Sequence, residues 1–256
     1  MNGHRGADLA TTPDMIAVLV VRDGILPLGA QEAVAEAGGD ALLVGSSVTE
    51  AAAQLQTASR IQGWETTGFA PGGWAQALAP HLRERRVLLL PASVDGRDLA
   101  PRLAAALGRP LLAGCSAVSP HRAVLLRWGS RVSVTVEVSA PMVATLQPGI
   151  RGIDPHSEIV DAEVDIAWLE GDLDHCAAVP DARTVEVLQP DPETVDLAEA
   201  SRIFCAGAGL GGAESAGRGT VDVLGRVAAA LGASLGATRV VTDAGWAEHQ
   251  RQIGTT

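Results

Sequence analysis

No lysine and no tyrosine occur among the 256 residues. Without lysine the chain has no Walker A phosphate loop, no Schiff base with pyridoxal phosphate and no lysine general base. Basic charge is scarce altogether: 19 arginines stand against 30 acids, a net charge of −11. Nucleic acids and anionic membranes are bound through basic stripes, so both are excluded as partner classes. Long apolar runs are missing too. Met15 to Val21 is too short to span a bilayer, and the apolar stretch from Val227 to Val241 is rich in Ala and Gly and contains Arg239, so no membrane insertion is expected. The first fourteen residues lack the apolar core of a secretion signal, which points to a cytoplasmic protein. Cys115, Cys176 and Cys205 are odd in number and form no C-x-x-C, as expected of reduced thiols. His175 and Cys176 adjoin but lack the companions of a closed zinc site. No Ser, His and acid stand in a recognisable triad arrangement, which argues against a serine hydrolase.

What is present reads as a globular α/β protein. An arginine-only basic set with abundant Ala, Gly and Val fits a GC-rich bacterial genome. Met15 to Val21, Ala41 to Gly45 and Arg86 to Pro91 are continuous aliphatic runs, the pattern of strands buried on both faces of a parallel sheet. Helices are expected near Ala30 to Ala37 and from Thr49 to Ala58. A third is expected after Asp98 as its cap, with Pro101 in the first turn and Leu99, Leu103 and Leu107 on one face. Leu111 to Val118, Ala123 to Trp128, Val132 to Val138 and Val143 to Gln147 follow without room for helices. They predict an added antiparallel section, and Glu158 to Leu169 continues the β character. Gln189-Pro-Asp-Pro-Glu193 punctuates the chain, dividing it into an N-terminal α/β domain at 14–188 and a second domain at 189–256. The second opens with a strand at Ser201 to Ala206, a glycine loop, a helix from Thr220 to Leu231 and a strand at Ala237 to Thr242.

Gly207-Ala-Gly-Leu-Gly-Gly212 formally matches G-x-G-x-x-G between strand and helix. A dinucleotide fingerprint also needs an acid about twenty positions later for the ribose, and Val227 to Gly232 holds none. The loop therefore reads as a structural turn, or as the border of some other nucleotide. Asp95-Gly-Arg-Asp98 admits an acid–base site, but a turn and a helix cap explain it equally.

The richest constellation is Leu235-Gly-Ala-Thr-Arg-Val-Val-Thr-Asp-Ala-Gly245, followed by His249-Gln-Arg-Gln-Ile-Gly254. An arginine at a strand end, an Asp-Ala-Gly turn and a Gln-x-Gly loop resemble the flavin-binding segment of electron transfer flavoprotein alpha subunits. There the pattern is Gly-Ala-Ser-Arg-x-x-x-Asp-Ala-Gly, then Gln-Val-Gly-Gln-Thr-Gly. Thr238 replaces the serine and Thr255 a glutamine, and the glycine loop departs from the family's usual Gly-Arg-Gly. Ser93-Val-Asp-Gly-Arg-Asp-Leu-Ala-Pro-Arg-Leu-Ala104, Arg127-Trp-Gly-Ser130 and Met142 to Gly149 are similar to further family segments, in the family's order.

This resemblance implies an electron carrier that passes electrons from flavin dehydrogenases to a quinone reductase or another acceptor through FAD. It also implies a partner beta subunit that binds AMP, and it is compatible with a mycofactocin-associated actinobacterial variant. The fold it implies is a mostly parallel sheet flanked by helices with an added antiparallel section, followed by an incomplete Rossmann-like FAD domain. The cofactor-binding residues carried over are Thr238, Arg239, Gln252, Ile253, Gly254, Thr255 and Thr256. The family's later Ile-Ser-Gly-Ala-x-Gln-His loop has no counterpart here, so the reading is of a C-terminally shortened relative in which FAD is held weakly or not at all. The alternative is a non-redox α/β module that binds an adenine nucleotide or serves as a scaffold, needing only the first sheet and the glycine loop.

Overall fold

The computed structural model describes residues 14–153, 165–170, 181–182, 185–186, 191–197, 199–210 and 214–254. His175, Cys176, Thr255, Thr256 and most of the stretch from Glu158 lie outside these. The chain divides into two compact units, Met1–Val185 and Glu186–Thr256.

In the N-terminal unit the strands are β1 (Met15–Val21), β2 (Asp40–Gly45), β3 (Arg60–Glu65), β4 (Val87–Pro91), β5 (Leu111–Ser119), β6 (Arg122–Arg127), β7 (Val132–Glu137), β8 (Met142–Leu146) and β9 (Ile166–Trp168). They form one sheet in the order β7-β6-β5-β8-β4-β1-β2-β3-β9. The helices are α1 (Ala30–Glu36), α2 (Val48–Ala52), α3 (Pro71–Leu82) and α4 (Val94–Leu107). Every residue of β1 is buried, and its side chains alternate between two cores. Ala17, Leu19 and Val21 join α1 and α2 on one face, while Ile16, Val18 and Val20 join α3 and α4 on the other. Each fully buried Leu or Ile contributes about 1.5–3 kcal/mol. That two-sided burial is why the strand reads as a continuous apolar run.

The sheet corrects several sequence expectations. β3 and α3 lie in a region with no expected element. β3 contains Gly63 and polar residues, while α3 carries Gly72, Gly73 and Pro80, so propensity argues against both; burial of Ile61, Trp64, Trp74 and Leu78 overrides it. α2 stops at Ala52 instead of Ala58, because Gln31 draws residues 56–57 out of the helix, accepting from their N–H groups. Asp98 is not the cap of α4. Ser93 caps it, its hydroxyl accepting from Gly96 N–H at 3.2 Å, and Asp98 lies inside the helix bonded to Arg102. Only β5, β6 and β7 are antiparallel. β8 returns to lie parallel between β4 and β5, and its five residues are all buried. Two acids of α1 hold the chain beyond β8. Glu32 accepts from Gly149 and Gly152 N–H, and Glu36 pairs with Arg151 at 2.5 Å.

Cys115 is buried in this sheet, and desolvation pushes its thiol up to about 11, against a smaller opposing pull from Arg127. A raised thiol pKa favours the neutral form in the native state. Its contribution to stability is therefore present below the ordinary thiol pKa and is lost as pH rises toward 11. Cys205 is exposed. Iodoacetamide at pH 8 is expected to modify Cys205 before Cys115, as peptide mapping would read; equal rates would show that the sheet opens at Cys115.

The C-terminal unit contains β10 (Ile203–Ala206), α5 (Glu214–Ala230), β11 (Ser234–Ala237) and α6 (Arg239–Asp243). β10 and β11 are parallel, joined through α5, and Ala206, Val221, Ala237 and Val241 form a small core. The strand expected at Ala237 to Thr242 is thus misplaced. The real strand lies earlier, in Ser234-Leu-Gly-Ala237, where small residues allow close packing: a Cβ on Gly236 would stand 2.3 Å from Ile253 and 2.9 Å from Ile203. The β-branched run Val240-Val-Thr242 is helical, with Thr242 Oγ1 donating to Arg239 O at 2.9 Å. Among the described residues no helix is long and apolar enough to cross a membrane.

Candidate functional site

The C-terminal ends of β10 and β11 gather most of the residues singled out in the sequence. Thr238 follows β11 in an extended conformation, its N–H donating to Ala206 O at 2.9 Å, and it opens α6. Thr238 Oγ1 is buried and has no hydrogen-bond partner among the described residues. A buried hydroxyl left in that state costs about 1–3 kcal/mol. Arg239 begins α6, mostly exposed, with Nε 3.2 Å from Asp243 Oδ2 one turn later. In water such a pair contributes little stability, but it biases the direction of the guanidinium.

The Gln-x-Gly segment folds back against the same strand end. Gln252 pairs with Ala237 as a parallel bridge, and Ile253 N–H donates to Ala237 O at 2.8 Å. Gln252 Oε1 lies 2.9 Å from Thr242 Oγ1, while its Nε2 donates to Gly254 O at 3.0 Å. Ile253 lies over Gly236, and Gly254 takes a positive φ of 81°. Thr238, Arg239, Gln252, Ile253 and Gly254 therefore meet at one strand end. Thr242 and Asp243 of the same constellation, not among the residues carried over as cofactor-binding, meet them there; the i,i+4 spacing of Arg239 and Asp243 is the helical signal that links them.

Other contacts fix this arrangement. Trp246 lies on Gly217 of α5, where a Cβ would stand 2.5 Å from its ring, and this contact orients the Asp243-Ala-Gly245 turn. Arg251 donates to Val195 O at 2.8 Å and to Glu193 O, tying the entering segment to the site. At the end of β10, Gly207 precedes a 3-10 turn at Ala208–Leu210. Space is open where Cβ atoms of Gly207 and Gly209 would stand, so the loop leaves room for a ligand. In open α/β sheets ligands settle at such C-terminal strand ends.

These groups fit part of a flavin site. A flavin ring presents carbonyls and ring nitrogens, and the strand end offers an unpaired hydroxyl at Thr238 and a cation at Arg239. Metal chemistry is less well served: no cluster of three or more His, Cys, Asp or Glu side chains exists among the described residues.

Comparison with known proteins converges on the same segments. The model of the electron transfer flavoprotein domain matches residues 28–165, more than half of the chain, and that of the electron transfer flavoprotein FAD-binding domain matches 196–256. The chain is similar to the electron transfer flavoprotein subunit alpha of Thermoanaerobacterium thermosaccharolyticum, 27% identical over 199 residues, which cover 74% of this chain and 58% of that protein. It is also similar to the corresponding subunit of Clostridium acetobutylicum, 28% identical over 200 residues, covering 73% and 57%. Protein FixB of Clostridium saccharobutylicum is 27% identical over 184 residues, covering 68% and 52%. The chain thus spans a little over half the length of these relatives. Both of its units carry a family signature in the family's order, and the chain belongs to the electron transfer flavoprotein alpha-subunit family.

Proposed function

We propose that this chain is an electron-carrier subunit whose C-terminal unit contributes to an FAD site. The observation that supports the reading best is the unpartnered buried hydroxyl of Thr238 beside Arg239, at the strand end of the unit similar to FAD-binding domains. A bound flavin supplies reversible acceptance of one or two electrons. The chain's part is to hold and tune it: Thr238 donates a hydrogen bond, Arg239 places positive charge where reduction adds negative charge, and Gln252 locks the loop beside them. Several named relatives are subunits of electron transfer flavoproteins. By that likeness the working protein is a cytoplasmic complex with a homologous beta subunit, which holds AMP. It takes electrons from flavin dehydrogenases and delivers them to a quinone reductase or another acceptor.

Purification of the tagged chain from its native host, with its partner, is expected to give a yellow complex that releases FAD on denaturation. A colourless preparation whose FAD titration leaves flavin fluorescence unquenched would count against the reading. Arg239→Ala is expected to lower the flavin midpoint potential by on the order of tens of millivolts. Exposure of the guanidinium and its pairing with Asp243 reduce the effect below that of a dry charge. An unchanged potential in a complex that still binds FAD would remove Arg239 from the site.

A further inference from the structure

The sheet of the N-terminal unit reverses direction between β1 and β4. The chain runs outward from β1 through β2 to β3, then resumes on the other side of β1 with β4. In open α/β sheets that reversal opens a crevice at the C-terminal strand ends, and nucleotides and other anions settle there. Here the crevice holds a pair of the chain's own side chains. Arg22, directly after β1, donates from Nε to Asp95 Oδ2 at 2.5 Å and from Nη2 to Asp95 Oδ1 at 2.7 Å. Asp95 lies in the first turn of α4, directly after β4. Two parallel N–H···O bonds are the geometry by which arginine holds either a carboxylate or a phosphate.

The arginine is fixed from two further directions. Its guanidinium carbon lies 4.8 Å from the centroid of the Phe69 ring. Its backbone is held by a tight turn at Asp23 and Gly24, with φ of 49° and 75° and Ile25 N–H donating to Arg22 O at 2.9 Å. Positive φ at both central residues is the type I′ hairpin turn. That turn replaces the glycine loop that leads straight into a helix in dinucleotide-binding sheets. The neighbouring strand ends are filled in the same manner. Glu65, at the end of β3, accepts from the N–H groups of Ser47 and Val48 at 2.7 and 2.9 Å. Asp181 accepts from those of Gly72 and Gly73 at 2.6 and 3.1 Å. Donors that could meet phosphate oxygens are already bonded to internal carboxylates.

We propose that the Asp95 carboxylate is the built-in occupant of an anion site centred on Arg22, and that this contact keeps nucleotide phosphates out of the N-terminal unit. The inference is independent of the electron-carrier reading, which rests on the other unit. It also weighs against an adenine-nucleotide module built on the first sheet. In Asp95→Ala the guanidinium remains over Phe69 with its carboxylate gone, which turns the crevice into a site for a phosphate group.

The test is calorimetric titration of the full chain with AMP and, separately, with inorganic phosphate. Wild type is expected to show no binding that depends on Arg22. Asp95→Ala is expected to bind both probes at least about tenfold more tightly, equivalent to about 1.4 kcal/mol. The double variant Arg22→Gln/Asp95→Ala is expected to lose that gain. Circular dichroism checks the fold, and Asp95→Ser, which keeps a polar group in the first helical turn, replaces a misfolded alanine variant. Wild-type AMP binding that Arg22→Gln abolishes would overturn the proposal. So would a folded Asp95 variant no tighter than wild type.

Discussion

Asp40→Ala is expected to lower the stability of the N-terminal unit by about 3–5 kcal/mol, the usual cost of removing one partner of a buried ion pair. Asp40 opens β2 and is almost fully buried, with Oδ2 2.6 Å from Nη1 of an equally buried Arg85 and 3.7 Å from that of the half-exposed Arg60. Arg85 lies between α3 and β4, so the pair joins two helix–strand layers at the N-terminal edge of the sheet. Its energetic role is asymmetric. Forming a buried pair contributes little net stability, whereas deleting the carboxylate breaks the 2.6 Å contact after its partner has already been desolvated. Urea unfolding followed by tryptophan fluorescence measures the loss, since Trp64 and Trp74 are both buried in this unit. A loss of under about 1 kcal/mol for Asp40→Ala would place the pair with exposed ion pairs and contradict its burial.

The N-terminal fold was legible wherever burial is two-sided. Continuous aliphatic runs identify β1, β2 and β4, because a strand covered on both faces needs apolar side chains at every position. β3 and α3 escaped notice for the converse reason: they hold Gln62, Gly63, Gly72, Gly73 and Pro80, and their identity is set by partners distant in sequence. Asp181, which satisfies the first N–H groups of α3, is 109 positions from Gly72. The candidate flavin site was legible as a motif and misread as geometry. Arg239 looked like a strand residue because Val240, Val241 and Thr242 are β-branched, whereas β11 is built from small residues that carry little strand signal of their own. Only contacts with Ile203, Ile253 and Trp246 explain why glycine and alanine form that strand and α6 follows it. The same distinction applies to the crevice of the N-terminal unit. The Asp95 segment drew attention as a possible acid–base site, but its partner, Arg22, is 73 positions away and became evident only from the closure of the sheet.

That closure depends on the tight junction of β1 and β2, and Gly45→Ala is expected to break it. Gly45 ends β2 in parallel register with Val21 of β1, at a φ of 145°. A Cβ there would stand 1.8 Å from the carbonyl oxygen of Val21 and 2.8 Å from its carbonyl carbon. Both are backbone atoms, so no side-chain rotation relieves the overlap. The same oxygen accepts from Ser46 N–H at 3.3 Å, and Gly45 O accepts from Thr66 N–H at 2.8 Å, so separating the strands also disturbs the step to β3. The loss should exceed about 4 kcal/mol, within the range reserved for core overpacking and backbone incompatibility. Gly108→Ala supplies the control. Gly108 ends α4 at a φ of 63° with nothing within 4 Å of the added Cβ, so only the left-handed backbone cost of about 1–2 kcal/mol applies. Denaturant midpoints and soluble yields of the two variants separate steric from conformational cost. Equal, modest losses would show that the β1–β2 junction relaxes freely, and that the position of Arg22 at its end is less rigid than the hydrogen bonds around it imply.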